Sequence, residues 1–105
     1  MRLDKKILSM LGIAKKAGKV ASGEFLCEES IRNGKAKVVI VSDEASDNTK
    51  KRFRDKTTYY QVPLYERFSM EALGKAIGSE TRAVICVNDA GIARTIIKYF
   101  TNEQQ

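Results

Sequence analysis

Between Lys19 and Lys37 the chain reads Lys-Val-Ala-Ser-Gly-Glu-Phe-Leu-Cys-Glu-Glu-Ser-Ile-Arg-Asn-Gly-Lys-Ala-Lys, a stretch whose residue types suit a polyanion. Ser22 or Gly23 can open a short helix, and Asn33-Gly34 closes it. The first N–H groups of such a helix lack intrahelical acceptors and carry partial positive charge, so they favour an anion. Gly23 lets a ligand approach the backbone closely. At about 100° per residue, Cys27, Ser30 and Ile31 share one stripe while Phe25 falls off it, so Phe25 is expected to face outward in the same first turn as Glu24. With Lys19, Lys35 and Lys37 flanking it, Phe25 would stack on a base while the amides hold a phosphate. Lys16 and Arg32 would add phosphate contacts.

Enzymatic chemistry has poor material here. There is no histidine in the 105 residues, so the commonest general base is missing. Asp43 follows an apolar run and Asp89 precedes a helix; loop solvation and helix capping account for both, and a small enzyme using the pair is the third-ranked reading. Gly74-Lys75-Ala76-Ile77-Gly78 has glycines without the strand-to-helix context of a phosphate loop. Two cysteines without histidine make no familiar zinc site, and Cys27 and Cys86 are expected to be buried free thiols. No metal or other cofactor is therefore expected.

Charge points the same way. The net charge is +6, and residues 1–37 carry 9 Lys and Arg against 4 Asp and Glu, whereas residues 68–105 carry 4 against 4. The excess is thus concentrated in the first third, the part that contains Gly23. No apolar run approaches the roughly 18 residues of a membrane span, and the start Met-Arg-Leu-Asp-Lys-Lys is not a signal peptide, which implies a cytoplasmic protein with no membrane partner.

The elements that must position these residues follow from periodicity. Leu3, Ile7, Leu8, Leu11 and Ala14 give an amphipathic first helix ended by Gly18, and Lys19–Ala21 can form a short strand. After the Gly23 helix, Val38–Val41 is an apolar, β-branched run expected of a strand covered on both sides. Ser46 caps a third helix of about ten residues, expected to be peripheral and weakly held because Phe53 is almost its only large apolar anchor. Tyr59–Leu64 reads as a strand with Pro63 at an edge or at its end. A helix capped by Ser69 and stopped by Gly78, a strand at Ala83–Val87 and a helix capped by Asp89 complete the order. With 43% hydrophobic residues, 1–101 should form one α/β domain, and 102–105 a frayed tail.

Residues Gly23–Asp43, Leu73–Gly78 and Ala83–Val87, in this order and spacing, resemble the ribosomal L-seven-Ae superfamily, which includes the L-thirty-e proteins. Leu11-Gly12-Ile13-Ala14-Lys15-Lys16-Ala17-Gly18-Lys19 and Asp43–Lys51 are similar to the bacterial YlxQ-type branch. The resemblance implies a three-layer α-β-α sandwich around a small mixed four-stranded sheet, and a non-enzymatic, ribosome-associated protein that binds structured RNA. It also implies that the loop Gly78–Arg82 covers extruded bases, with Arg82 in contact, and Ser22 and Glu24, on either side of Gly23, are expected among the RNA contacts. The family's kink-turn signature, Gly-x-Asn-Glu-x-x-Lys, aligned on Gly23, meets Phe25, Leu26 and Glu29 here. Apolar side chains cannot make polar base contacts and a carboxylate repels phosphate, so the resemblance extends to an RNA-facing helix and not to standard kink-turn readout. The expectation is a monomer that binds structured RNA. The alternative is a protein-interaction module on the same fold, anchored by Phe25 and Leu26.

Overall fold

The computed structural model describes residues 2–102. Its elements run α1 (Arg2–Lys16), β1 (Val20–Ser22), α2 (Glu24–Arg32), β2 (Val38–Val41), α3 (Asp47–Tyr60), β3 (Leu64–Glu66), α4 (Met70–Ala76), β4 (Val84–Val87) and α5 (Ala90–Asn102). This is the expected order of helices and strands. The four strands form a mixed sheet in the order β1-β4-β2-β3, with β2 and β3 parallel and β4 antiparallel to both β1 and β2.

Side chains alternate across each strand, which divides the core in two. Val38, Ile40, Ile85 and Val87 face α1, α4 and α5, where they meet Ile7, Leu11, Leu73, Ile96 and Phe100. Val39, Val41, Val84 and Cys86 face α2 and α3, where they meet Cys27, Ile31 and Phe53. Apolar residues at consecutive positions of β2 and β4 therefore each have a layer to enter, which makes three layers with the sheet in the middle.

Three sequence expectations need correction. Residues 59 and 60 belong to α3, and β3 begins only at Leu64. Thr49, Phe53 and Thr57 recur every four residues on the buried stripe of α3, and the Thr57 hydroxyl donates to the Phe53 carbonyl at 2.7 Å. That stripe carries the helix past its strand-like tail until Gln61 adopts a left-handed conformation (φ 60°) and closes it, its N–H bonding the Thr57 and Thr58 carbonyls. Pro63 precedes the edge strand β3, and its carbonyl accepts from the Val39 N–H at 2.9 Å.

The third helix is also held more firmly than expected. Phe53 is fully buried, so its truncation would cost about 3–5 kcal/mol, and Arg52 pairs with Glu24 and Glu28 of α2 while Arg54 pairs with Glu66 of β3. Asn102, expected to begin the tail, closes α5, and residues 103–105 lie outside the described ones. No helix among the described residues is long and apolar enough to cross a membrane.

Candidate nucleic-acid interface

The junction of β1 and α2 sits at one end of the sheet. Gly23 donates its N–H to the Val84 carbonyl at 3.0 Å and has φ 88° and ψ 159°, a conformation that L side chains rarely adopt. It can offer no side-chain cap to α2. The other internal helices are capped: Ser46 Oγ accepts from Thr49 N at 3.1 Å, Ser69 Oγ from Ala72 N at 3.0 Å, and Asp89 Oδ2 from Ile92 N at 2.8 Å. The start of α2 thus leaves its first-turn N–H groups without a side-chain acceptor, and with them the positive end of the helix dipole.

Three side chains frame that opening. Phe25 is 72% exposed, which settles its outward direction, and Leu26 beside it is 51% exposed. Arg82 Nε donates to Ser22 Oγ at 3.2 Å and its Nη1 to the Thr81 carbonyl at 2.8 Å, so an arginine from the far side of the chain stands against the end of β1. Glu24 lies beside Gly23 and turns toward α3. Its carboxylate accepts from Thr49 Oγ1 at 3.1 Å and pairs with Arg52, so its charge is matched by α3.

The lysines expected around Phe25 are elsewhere. β1 runs toward the Gly23 end, α2 runs back, and β2 starts where β1 started, so the residues before β1 and after α2 share the opposite end of the sheet. There Asn88 N donates to the Lys19 carbonyl at 2.8 Å and Lys37 N to the Val87 carbonyl at 2.8 Å, and extension of the strand registers sets Lys19, Asn88 and Lys37 in one row across three strands. Lys16 ends α1 and Arg32 ends α2 at this same end, and Lys35 N donates to the Ser30 carbonyl at 3.0 Å. The nine residues of α2, at about 1.5 Å each, put roughly 13 Å between the two groups. The structure therefore brings together Ser22, Gly23, Phe25 and Arg82, and separately Lys16, Lys19, Arg32, Lys35 and Lys37. The missed members of the second group are Lys15, legible as half of a Lys-Lys pair, and Tyr60, hidden by its assignment to a strand.

Other chemistry is not assembled. Asp43 follows β2 at the Gly23 end, whereas Asp89 caps α5 at the other; four strand residues at about 3.3 Å each hold them too far apart for a shared proton. Cys27 and Cys86 are buried free thiols, and contact with the Cys86 thiol, then burial, hold the Cys27 thiol far above the usual range, so it is a poor nucleophile. Among the described residues no group of three or more His, Cys, Asp or Glu side chains is placed to hold a metal ion.

Residues 5–96 match the model of the ribosomal protein L7Ae/L30e/S12e/Gadd45 family. The chain belongs to that family. Within the L7Ae family it is 46% identical over 88 residues to the RNA-binding protein YlxQ of Bacillus subtilis, covering 84% of this chain and 88% of that one. It is 44% identical over 89 residues to RNA-binding protein YlxQ of Enterococcus faecium, covering 85% of each. Among solved structures, a Bacillus halodurans protein described as of unknown function superimposes with a TM-score of 0.89 at 38% identity, covering 91% of this chain and 97% of that one. The Giardia lamblia 15.5kD RNA binding protein superimposes with a TM-score of 0.82 at 19% identity over 93% of this chain and 87% of that one, which shows a common fold. The three-layer sandwich of the L7Ae family is thus the fold of this chain.

Proposed function

We propose that residues 1–101 form a non-enzymatic, cytoplasmic, ribosome-associated RNA-binding domain that takes structured RNA at the Gly23 end. One observation carries this reading: α2 alone among the internal helices starts without a side-chain cap, and the opening is framed by an outward Phe25 and by Arg82. The open N–H groups suit a phosphate or a base acceptor, Phe25 suits stacking on an unpaired base, and Arg82 is hydrogen-bonded to neutral groups, the Ser22 hydroxyl and the Thr81 carbonyl, that it can exchange for a phosphate. The similarity to proteins named as RNA-binding supports the same partner.

Phe25, Leu26 and Glu29 are all exposed, and none can read a sheared base pair as a polar signature would. The unmodified protein should bind a standard kink-turn no better than an unkinked duplex of equal length in a titration at fixed salt. The variant Phe25→Asn/Leu26→Glu/Glu29→Lys should then favour the kink-turn by at least about tenfold, since each good polar base contact discriminates by about 1–3 kcal/mol. A folded triple variant that gains nothing would mean that this helix does not face RNA. Phe25→Ala/Arg82→Ala should weaken binding of an RNA with an internal loop; unchanged binding would turn the Phe25–Leu26 surface over to a protein partner.

A further inference from the structure

Six cations gather at the Lys37 end, whereas Lys5, Lys6, Lys75, Arg94 and Lys98, also exposed and without an ion-pair partner among the described residues, lie on α1, α4 and α5. Arg52, Arg54, Arg67 and Lys51 each stand within ion-pair distance of a carboxylate, from Glu24, Glu28, Glu66, Asp4 or Asp55. Among the described residues, Lys15, Lys16, Lys19, Arg32, Lys35 and Lys37 have no such partner, and all are exposed. Asp89, the carboxylate that precedes α5 at this end, is tied to the first turn of that helix.

The row of Lys19, Asn88 and Lys37 spans two strand spacings, so the two lysine backbones stand about 10 Å apart. Lys37 is already turned toward the end of α2, its Nζ donating to the Gly34 carbonyl at 3.2 Å. Beside it lies a cleft of about 260 Å³ walled by Ile31, Val62 and Pro63, with Arg32, Lys37 and Tyr60 at its rim. Cations without carboxylate partners next to a cleft with both apolar and polar walls and an aromatic ring at its rim match a phosphodiester backbone whose bases are unstacked.

A single backbone running straight from this end to Gly23 would pass along the outer face of α2. That face presents Glu29, exposed and without an ion-pair partner among the described residues, with Glu28 a residue away. Phosphates are repelled there, so the two ends are separated by charge as well as by distance.

We propose that the Lys37 end is a second RNA-binding site, which takes a different RNA segment from the one at Gly23, so that one protein molecule bridges two RNA elements. This inference rests on the RNA-binding reading above. The basic site supplies phosphate contacts and the Gly23 site supplies contacts to unpaired bases.

The test uses the full chain and an RNA hairpin with an unpaired loop, shorter than the 30 Å long axis of the protein, with native mass spectrometry counting RNAs per protein. The wild type should carry two hairpins. Lys19→Glu/Lys35→Glu/Lys37→Glu should carry one, as should the milder glutamine triple, and Phe25→Ala/Arg82→Ala should also carry one. In titrations the lysine triple should reduce the slope of log affinity against log salt by about three, one for each lost phosphate contact. A wild type that carries a single hairpin, kept by the lysine triple and lost in Phe25→Ala/Arg82→Ala, or a lysine triple that still carries two, overturns the second site and leaves the Gly23 reading standing; a single hairpin lost in the lysine triple and kept in Phe25→Ala/Arg82→Ala overturns the Gly23 reading instead. A wild type that carries none removes both.

Discussion

The loop that delivers Arg82 is moulded on a glycine, and adding one methyl group there should disconnect it. Gly74 lies buried in α4, and a Cβ at that position would stand 1.6 Å from the Glu80 carbonyl oxygen, 2.4 Å from its carbon and 2.9 Å from the Thr81 Cα. The obstacle is backbone rather than the free end of a side chain, so the segment at Glu80 must retreat by nearly 2 Å to reach ordinary contact. Two hydrogen bonds oppose that retreat, Ser79 N to the Gly74 carbonyl at 2.8 Å and Arg82 N to the Met70 carbonyl at 3.0 Å. Overpacking of this kind costs about 1–3 kcal/mol, and releasing the strain by breaking both bonds costs a similar amount, about 1 kcal/mol each. Alanine returns about 1 kcal/mol through helix propensity. The net loss for Gly74→Ala is then up to about 2 kcal/mol, a fall in melting temperature of up to about 15 °C for a domain of this size.

The displacement has a functional reading as well. Arg82 would leave Ser22, and the loss of one charge-assisted contact, about 1.5 kcal/mol, should weaken RNA binding at the Gly23 end by about tenfold. Gly12→Ala is the control, because a Cβ there meets only the Ala76 carbonyl oxygen, at 3.1 Å, and the propensity gain offsets the small adjustment. Calorimetric melting and RNA titration of the two variants decide the matter. A Gly74→Ala protein that melts with the wild type and binds RNA equally well would refute the claim that this glycine sets the loop and, through it, Arg82.

Two further outcomes are expected. Asp89→Ala removes the side-chain acceptor of Ile92 N and should lower stability by about 1 kcal/mol, a few degrees in a melting scan, without creating or abolishing any enzymatic turnover. The hydrogen bond from Arg54 holds the Glu66 carboxyl below its ordinary 4.5 and raises Arg54, so the unfolded state binds more protons as the solution is acidified. The stabilisation is present above pH 4.5 and is lost as the pH falls through the lowered value, and Glu66→Gln should flatten the acid limb of melting temperature against pH; an unchanged limb would assign acid sensitivity to other carboxylates.

The sequence by itself determined the elements wherever one periodicity dominated. Val38–Val41 is apolar at every position and becomes a strand covered on both faces; Cys27, Ser30 and Ile31 recur at helical spacing and become the buried stripe of α2, which leaves Phe25 outside. Tyr59 and Tyr60 read as the start of a strand because tyrosine favours one in isolation, and the burial of Thr57 one turn beyond Phe53 keeps them helical. The site divides along the same line. Gly23, Phe25 and the lysines on either side are legible as residue types, since charge, aromaticity and the freedom of glycine are properties of single residues. Their grouping is not, because adjacency in sequence and adjacency in space diverge as soon as a helix carries the chain back across a sheet. Lys19 is closer in sequence to Gly23 than Arg82 is, yet Arg82, 60 residues from Ser22, stands against it, while Lys19 lies at the far end beside Asn88. The directions of β1, α2 and β2 decide this, and they are fixed by pairing with β4, which the chain adds only at residue 84.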